Sequence, residues 1–241
     1  MLLPDWPIQN RVGALSTTRV GGQSCVPFES FNLGYHVNDK PNDVNANHKQ
    51  LLEYLPNPAH WLTQVHGADV LVVDKNTPAT FWPKADALYT RLRQQPLAIM
   101  TADCLPILVC DQQGREVAAI HGGWKPLVKG IIANTLALFQ ANPKQLYVWF
   151  GPAIGPQKFV VGSDVKAQFC ELNRTHEDDF VAQSDGKFMA NIYAIAKRQL
   201  AQLGVTEVFG GDYCTVTQNE LFFSYRRDGK TGRMASLIWR N

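Results

Sequence analysis

Residues 101–124 read T-A-D-C-L-P-I-L-V-C-D-Q-Q-G-R-E-V-A-A-I-H-G-G-W. Two apolar runs, 105–110 and 117–120, flank the polar turn Asp111-Gln112-Gln113-Gly114. Aliphatic and β-branched runs bounded by Asp and Gly predict a β-hairpin. Pro106 fits near a strand start, where its missing N–H costs little. Cys104 precedes the first strand and His121 follows the second. Antiparallel pairing brings such ends together, so the hairpin should place a thiol beside an imidazole. Gly122-Gly123 lets the backbone pass close to whatever sits beside His121.

A Cys and a His at one strand end fit three readings. Free Cys is among the most buried residue types, so packing alone is one. A thiolate nucleophile with a His base is the second. A metal centre is the third, because thiolate and imidazole together suit zinc or copper. A further ligand favours the metal, and Gln64-Val65-His66-Gly67 offers one just before the apolar run 70–73. Three protein ligands with a fourth position open is the pattern of a catalytic zinc site. No C-x-x-C or H-E-x-x-H occurs to strengthen it.

The blocks Gln64-Val65-His66-Gly67, Thr101-Ala102-Asp103-Cys104-Leu105-Pro106 and His121-Gly122-Gly123-Trp124 resemble the laccase-domain family, once labelled multicopper polyphenol oxidase and now treated as YfiH-type purine nucleoside phosphorylases. The resemblance extends over Ser16-Thr17-Thr18-Arg19 with Gly21-Gly22, Phe31-Asn32-Leu33-Gly34 with His36, Gly151-Pro152-Ala153-Ile154-Gly155 and Phe222-Phe223-Ser224-Tyr225-Arg226-Arg227-Asp228. It covers essentially the whole chain. It implies an α+β fold built as a four-layer α/β/β/α sandwich, with zinc on His66, Cys104 and His121. It also implies phosphorolysis of adenosine, inosine, guanosine and methylthioadenosine, with adenosine deamination as a side activity. Amide hydrolysis in editing cell-wall precursors is an alternative within the same family. Two departures stand out: Gly122 replaces the usual Ala after the zinc His, and Lys125 replaces the usual Arg after Trp124. The second exchanges a planar fork for a point charge, so Lys125 is given no family role.

The chain has 241 residues, 45% hydrophobic and 18% charged, enough for a sizeable core. No linker-like stretch divides it, and residues 1–241 read as one domain. A net charge of +2 without a basic run argues against nucleic acid as a partner. The N-terminus lacks the basic and apolar regions of a signal peptide, and no apolar stretch approaches membrane-spanning length. Five Cys without paired spacing (25, 104, 110, 170, 214) point to a reducing cytoplasm.

Strands are expected near 11–20, on both sides of His66-Gly67 within 61–73, after a loop over 83–88, and at 147–150, 159–161, 205–209, 222–225 and 234–239. Helices are expected at 43–55, 128–140, 163–171 (capped by Ser163) and 191–203, with a surface loop over 173–186. Strands in hairpin-like order outnumber helices, as in α+β folds. Asp86 and Asp103 are candidate carboxylates for orienting a ligand His. Arg19, Asn32, His36, Arg226 and Arg227 are candidate substrate-binding residues. The N-terminus of a helix starting near Val128, with Lys125 and Lys129, would favour an anion.

Copper oxidase chemistry fits less well. A multicopper centre needs many imidazoles, and the chain has only six His. A single blue-copper site would take Met100 as axial ligand, roughly 13 Å from Cys104 by strand rise. A cysteine hydrolase leaves His66 without a task. Zinc uses all three side chains and serves either water attack on a purine C6 or acyl carbon, or phosphate attack on ribose C1′.

Overall fold

The computed structural model describes residues 1–241. In chain order the strands are β1 (Val12–Ser16), β2 (Val70–Val73), β3 (Ala87–Thr90), β4 (Leu97–Thr101), β5 (Leu105–Asp111), β6 (Val117–Gly122), β7 (Leu146–Phe150), β8 (Val160–Val161), β9 (Phe180–Ala182), β10 (Phe188–Ala190), β11 (Glu207–Gly210) and β12 (Met234–Arg240). The helices are α1 (Pro41–Leu52), α2 (Trp124–Val128), α3 (Ile131–Leu136), α4 (Ser163–Leu172), α5 (Ile192–Gln202) and α6 (Tyr225–Asp228).

The β5–β6 hairpin forms the centre of a six-stranded mixed sheet ordered β11-β7-β5-β6-β3-β2. Its side chains alternate between two cores, as strand geometry requires. Leu105, Ile107, Val109, Ala118 and Ile120 face α2 to α5. Leu108, Cys110, Val117 and Ala119 face a second, three-stranded sheet ordered β1-β12-β4. Leu97, Ile99 and Ile238 of that sheet meet them. Its other face, with Ala98, Met100, Ala235 and Leu237, packs against Leu51 of α1 and the loop residues Phe31 and Leu33. The layers are therefore helices, large sheet, small sheet and α1: an α+β four-layer α/β/β/α sandwich. Strands buried on both faces explain why β5 reads as a nearly continuous apolar run. A minor sheet, β8-β10-β9, flanks α4.

Several expected elements take a different form. Of the segment 128–140 only Ile131–Leu136 forms a helix of its own (α3): α2 ends at Val128, and Gly130 at φ +83° breaks the chain between them. The helix beside the hairpin therefore starts at Trp124, directly after Gly123. Residues 222–225 form no strand: the Ser224 hydroxyl accepts from Arg227 N–H and caps α6. The segment before β2 makes a single bridge at Thr63 and then turns at His66, whose φ is +56°. Helix α1 begins earlier than expected, with Pro41 in its first turn. In α4, Ser163 is the first helical residue and Gly162 takes the cap position. The 173–186 segment carries a 3-10 helix and β9 rather than loop alone.

Candidate metal centre

Cross-strand register explains why Cys104 and His121 meet. Leu105 pairs with Gly122 and Pro106 with His121, so Cys104 emerges beside the end of β6. Asp103, at φ +95°, turns the chain sharply just before it. His66 arrives from the left-handed turn before β2. The ligand atoms of His66, Cys104 and His121 lie within 4.8 Å of one another, and Cys104 Sγ stands 3.9 Å from His66 Nε2. Gly123 passes so close that a Cβ there would lie 3.1 Å from Cys104 Sγ and 3.3 Å from His66 Cδ2. A glycine is what allows this approach.

One buried carboxylate organises the group. Asp86, fully buried at the start of β3, accepts the His121 Nδ1–H at 2.8 Å. It also accepts the backbone N–H groups of Val65 (3.2 Å), His66 (3.0 Å) and Gly67 (2.6 Å). Asp86 thus directs His121 Nε2 into the site and clamps the strained turn that carries His66. Burial alone would raise its pKa, but His121 and then the N–H groups of Gly67 and Val65 outweigh it and hold the carboxyl below the usual range. Asp103 acts otherwise than expected. It orients no histidine: its oxygens accept from Thr215 Oγ1 and Arg226 N–H, both at 2.6 Å. It ties the Cys104 turn to the start of α6.

Two cavities meet at the triad. The larger, about 900 Å³, is lined by all three triad residues with Tyr35, His36, Trp82, Tyr225 and Arg233 among others. The smaller, about 450 Å³, adjoins His66 and Cys104 and is lined by Trp124, Lys125, Lys129 and Arg226. Of the expected binding residues, His36 lines the larger cavity and Arg226 the smaller. Arg19, Asn32 and Arg227 line neither. Arg19 donates to the carbonyls of Glu29 and Asn219 and lies over Phe223. Arg227 donates to the carbonyls of Thr215, Val216 and Phe222 and pairs with Asp228. Asn32 is fully buried and bonds Gly34, Asp39 and Arg233 N–H. Sequence reasoning missed Arg233 and Gln64. Gln64 exchanges both amide hydrogen bonds with Met100, fixing the wall of the larger cavity.

The donor set fits a metal. Two imidazoles and a thiol converge, one histidine is fixed in a single tautomer by a carboxylate, and one side stays open. Apart from His36, which lines the larger cavity but is not one of the grouped ligands, the other histidines stand apart. His48 bonds Leu33 O, His176 bonds Asp179, and His60 is buried next to β4. Only one such group forms, so a multicopper cluster lacks its imidazoles.

The thiol is poised for ligation. Burial pushes the Cys104 pKa up, but His121 and then His66 pull it down to about 6. Burial pushes His121 down, but Cys104 and Asp86 raise it to about 9. In metal-free protein these two form a thiolate–imidazolium pair. The depressed thiol contributes stability that is lost as pH falls through about 6, and the raised imidazole contributes stability lost as pH rises through about 9. The pair therefore stabilises the fold most between those values. Thiolate absorbance of Cys104 in metal-free protein, taken as the difference from Cys104→Ala, should titrate near pH 6. A midpoint near 9, the ordinary thiol value, would contradict the geometry. Metal affinity should fall as protons compete for the same sulfur below that point.

The fold and the site together define a four-layer sandwich protein with one His–Cys–His group that could hold a metal, at the junction of two cavities. Residues 13–241 match the family described as multi-copper polyphenol oxidoreductase laccase, and the chain belongs to this laccase-domain family. A relative from Escherichia coli K12, named purine nucleoside phosphorylase YfiH, is 46% identical over 99% of this chain and 98% of its own. A Haemophilus influenzae relative named purine nucleoside phosphorylase is 43% identical over 98% of this chain and 97% of its own. The crystal structure of a Neisseria meningitidis protein superposes with a TM-score of 0.94 at 42% identity, covering 100% of this chain and 98% of that one. No helix is long and apolar enough to cross a membrane.

Proposed function

We propose that the protein is a zinc-dependent purine nucleoside phosphorylase acting on adenosine, inosine, guanosine and methylthioadenosine, with adenosine deamination as a side activity. The observation that carries this reading is the triad's position at the meeting of a nucleoside-sized aromatic cavity and a cation-lined one. The names of the relatives support the same chemistry. Zinc is favoured over copper because the group keeps one side open, as catalytic zinc does, and the remaining imidazoles build no second ligand group for a multicopper centre. When bound it would supply electrophilic pull on an oxygen held at that open side.

The chain's own residues do the rest. Trp82, Tyr35 and Tyr225 give the purine an apolar, stacking wall in the larger cavity. His36 is kept neutral, its pKa lowered by burial and then by Arg233, so it can both accept and donate a hydrogen bond to the nucleoside. Asp86 keeps His121 and His66 in place throughout. In phosphorolysis a phosphate oxygen bonds ribose C1′ as the C1′–N9 bond breaks and the base leaves with its electron pair. Adenosine cleavage should therefore need inorganic phosphate and yield ribose 1-phosphate. Deamination should be indifferent to phosphate. Base release that proceeds equally in phosphate-free buffer would overturn the phosphorylase reading.

A second reading has a specific observation in its favour. Cys104, His121 and Asp86 form a thiol–imidazole–carboxylate series, the arrangement of a cysteine hydrolase such as an amidase acting on cell-wall precursors. Alkylation separates the two. With zinc bound, Cys104 should react slowly with iodoacetamide, and chelation should expose it. Rapid labelling of the zinc-loaded protein, with an acyl group trapped on Cys104, would favour the hydrolase.

A further inference from the structure

The cationic side chains around the triad differ in what already holds them. In the smaller cavity, Arg226 is exposed and gives Nη1 to the carbonyls of Lys158 and Val160. Lys129 donates to His66 O, and Lys125 is exposed beside the Trp124 ring. Arg19 and Arg227 are occupied with carbonyls and carboxylates outside both cavities.

Arg233 is different. It lines the larger cavity together with all three triad residues. Its Nη1 donates to Thr231 O and Gly232 O, both at 3.0 Å, which sets the plane of the guanidinium. Its Nε and Nη2 have no hydrogen-bond partner in the protein, and no carboxylate lies within ion-pair distance. Burial lowers its pKa and outweighs the pull of the nearby Cys104, Asp103 and Tyr225, so the cation is held partly out of water with none of these in direct hydrogen-bond or ion-pair contact. Such a charge is costly unless something anionic completes it. A planar fork with two adjacent free N–H groups matches a phosphate better than any lysine does.

The same view accounts for a motif that the metal centre leaves unexplained. In Phe31-Asn32-Leu33-Gly34, Asn32 Oδ1 accepts Arg233 N–H at 2.9 Å. A Cβ on Gly34 would lie 2.9 Å from Arg233 Cγ, so the bare glycine gives room for the arginine stem. Leu33 N–H donates to Arg233 O. The motif grips Arg233 along its backbone and stem.

We propose that Arg233 is the phosphate anchor, binding the inorganic phosphate substrate through Nε and Nη2 inside the larger cavity, with Asn32 and Gly34 as its positioning residues. This rests on the phosphorylase reading of the same site. The test is calorimetric titration of inorganic phosphate into zinc-loaded protein without nucleoside. Arg233→Ala should weaken phosphate binding by roughly 10- to 100-fold, the scale of hydrogen bonds to a charged group, with zinc content unchanged. Arg233→Lys, which keeps the charge and loses the fork, should fall between Arg233→Ala and wild type and guards against a folding defect in the alanine variant. Unchanged phosphate affinity in a zinc-replete Arg233→Ala protein would overturn the proposal, as would wild-type protein that binds no phosphate. If phosphate binds through Arg233 yet adenosine is cleaved to plain ribose, the anchor stands and the phosphorylase reading falls.

Discussion

Cys104→Ala is expected to abolish stoichiometric zinc binding and to lower nucleoside turnover by on the order of 10³-fold, because a metal's electrophilic assistance is a matter of several kcal/mol and about 4 kcal/mol corresponds to that factor. The sulfur is the one soft ligand of the group, and two imidazoles 4.8 Å apart or less cannot replace it. Cys104 is only half-buried, and its removal leaves no large cavity. The metal-free variant loses only the ion pair with His121, so it should melt below metal-free wild type between about pH 6 and 9 and approach it outside that range. Elemental analysis after purification without added metal, paired with thermal unfolding, checks both halves. Near-stoichiometric zinc in Cys104→Ala, or in His121→Ala, would show the site to be wrongly drawn.

Asp86→Ala should be the most damaging single change to the fold around the site. It leaves the His121 Nδ1–H and three backbone N–H groups, those of Val65, His66 and Gly67, without their buried acceptor. Breaking a buried charged network of this kind costs about 3–5 kcal/mol. For a domain of this size that corresponds to a fall of roughly 6–20 °C in Tm. The turn at His66 holds a positive φ that a non-glycine residue adopts unwillingly, so it should relax once the carboxylate is gone. Zinc affinity should drop by about 10- to 100-fold, the usual effect of losing the group behind a ligating histidine. Asp86→Asn should lose less, since its carbonyl oxygen can still accept some of these bonds. Calorimetric unfolding with a zinc competition titration measures both effects; a wild-type Tm in Asp86→Ala would refute the clamp.

The parts of this molecule legible in the sequence are those encoded locally. The 105–120 hairpin declares itself through apolar runs and an Asp–Gly turn, and its register then forces Cys104 and His121 together. Helix α5 is legible from its spacing, and Asn191 caps it with a bond to Ala194 N–H. Errors came where one residue's backbone geometry decides. Gly130 in the left-handed region cuts an amphipathic stretch into α2 and α3. Ser224 turns an apolar, strand-like run into the cap of α6. Strand β4, paired with the C-terminal β12 and buried on both faces, offers no local alternation to read.

The site divides the same way. His66, Cys104 and His121 stand in recognisable blocks. Asp86 is recognisable as a carboxylate, but its four donors come from distant segments. Asp103, Arg19, Asn32 and Arg227 are polar residues in matching motifs whose work is structural contact, and chemistry alone does not separate these uses. Arg233 was invisible because its role depends on what it lacks, a carboxylate partner, and that is a property of the folded cavity.

In the proposed reaction phosphate, not water, attacks the ribose. Adenosine or inosine turnover by the zinc-loaded protein in ¹⁸O-labelled water with ordinary phosphate, followed by mass analysis of the sugar product, tests it most directly. The expected product is unlabelled ribose 1-phosphate, formed only when phosphate is present. Ribose carrying ¹⁸O at C1′ would contradict it.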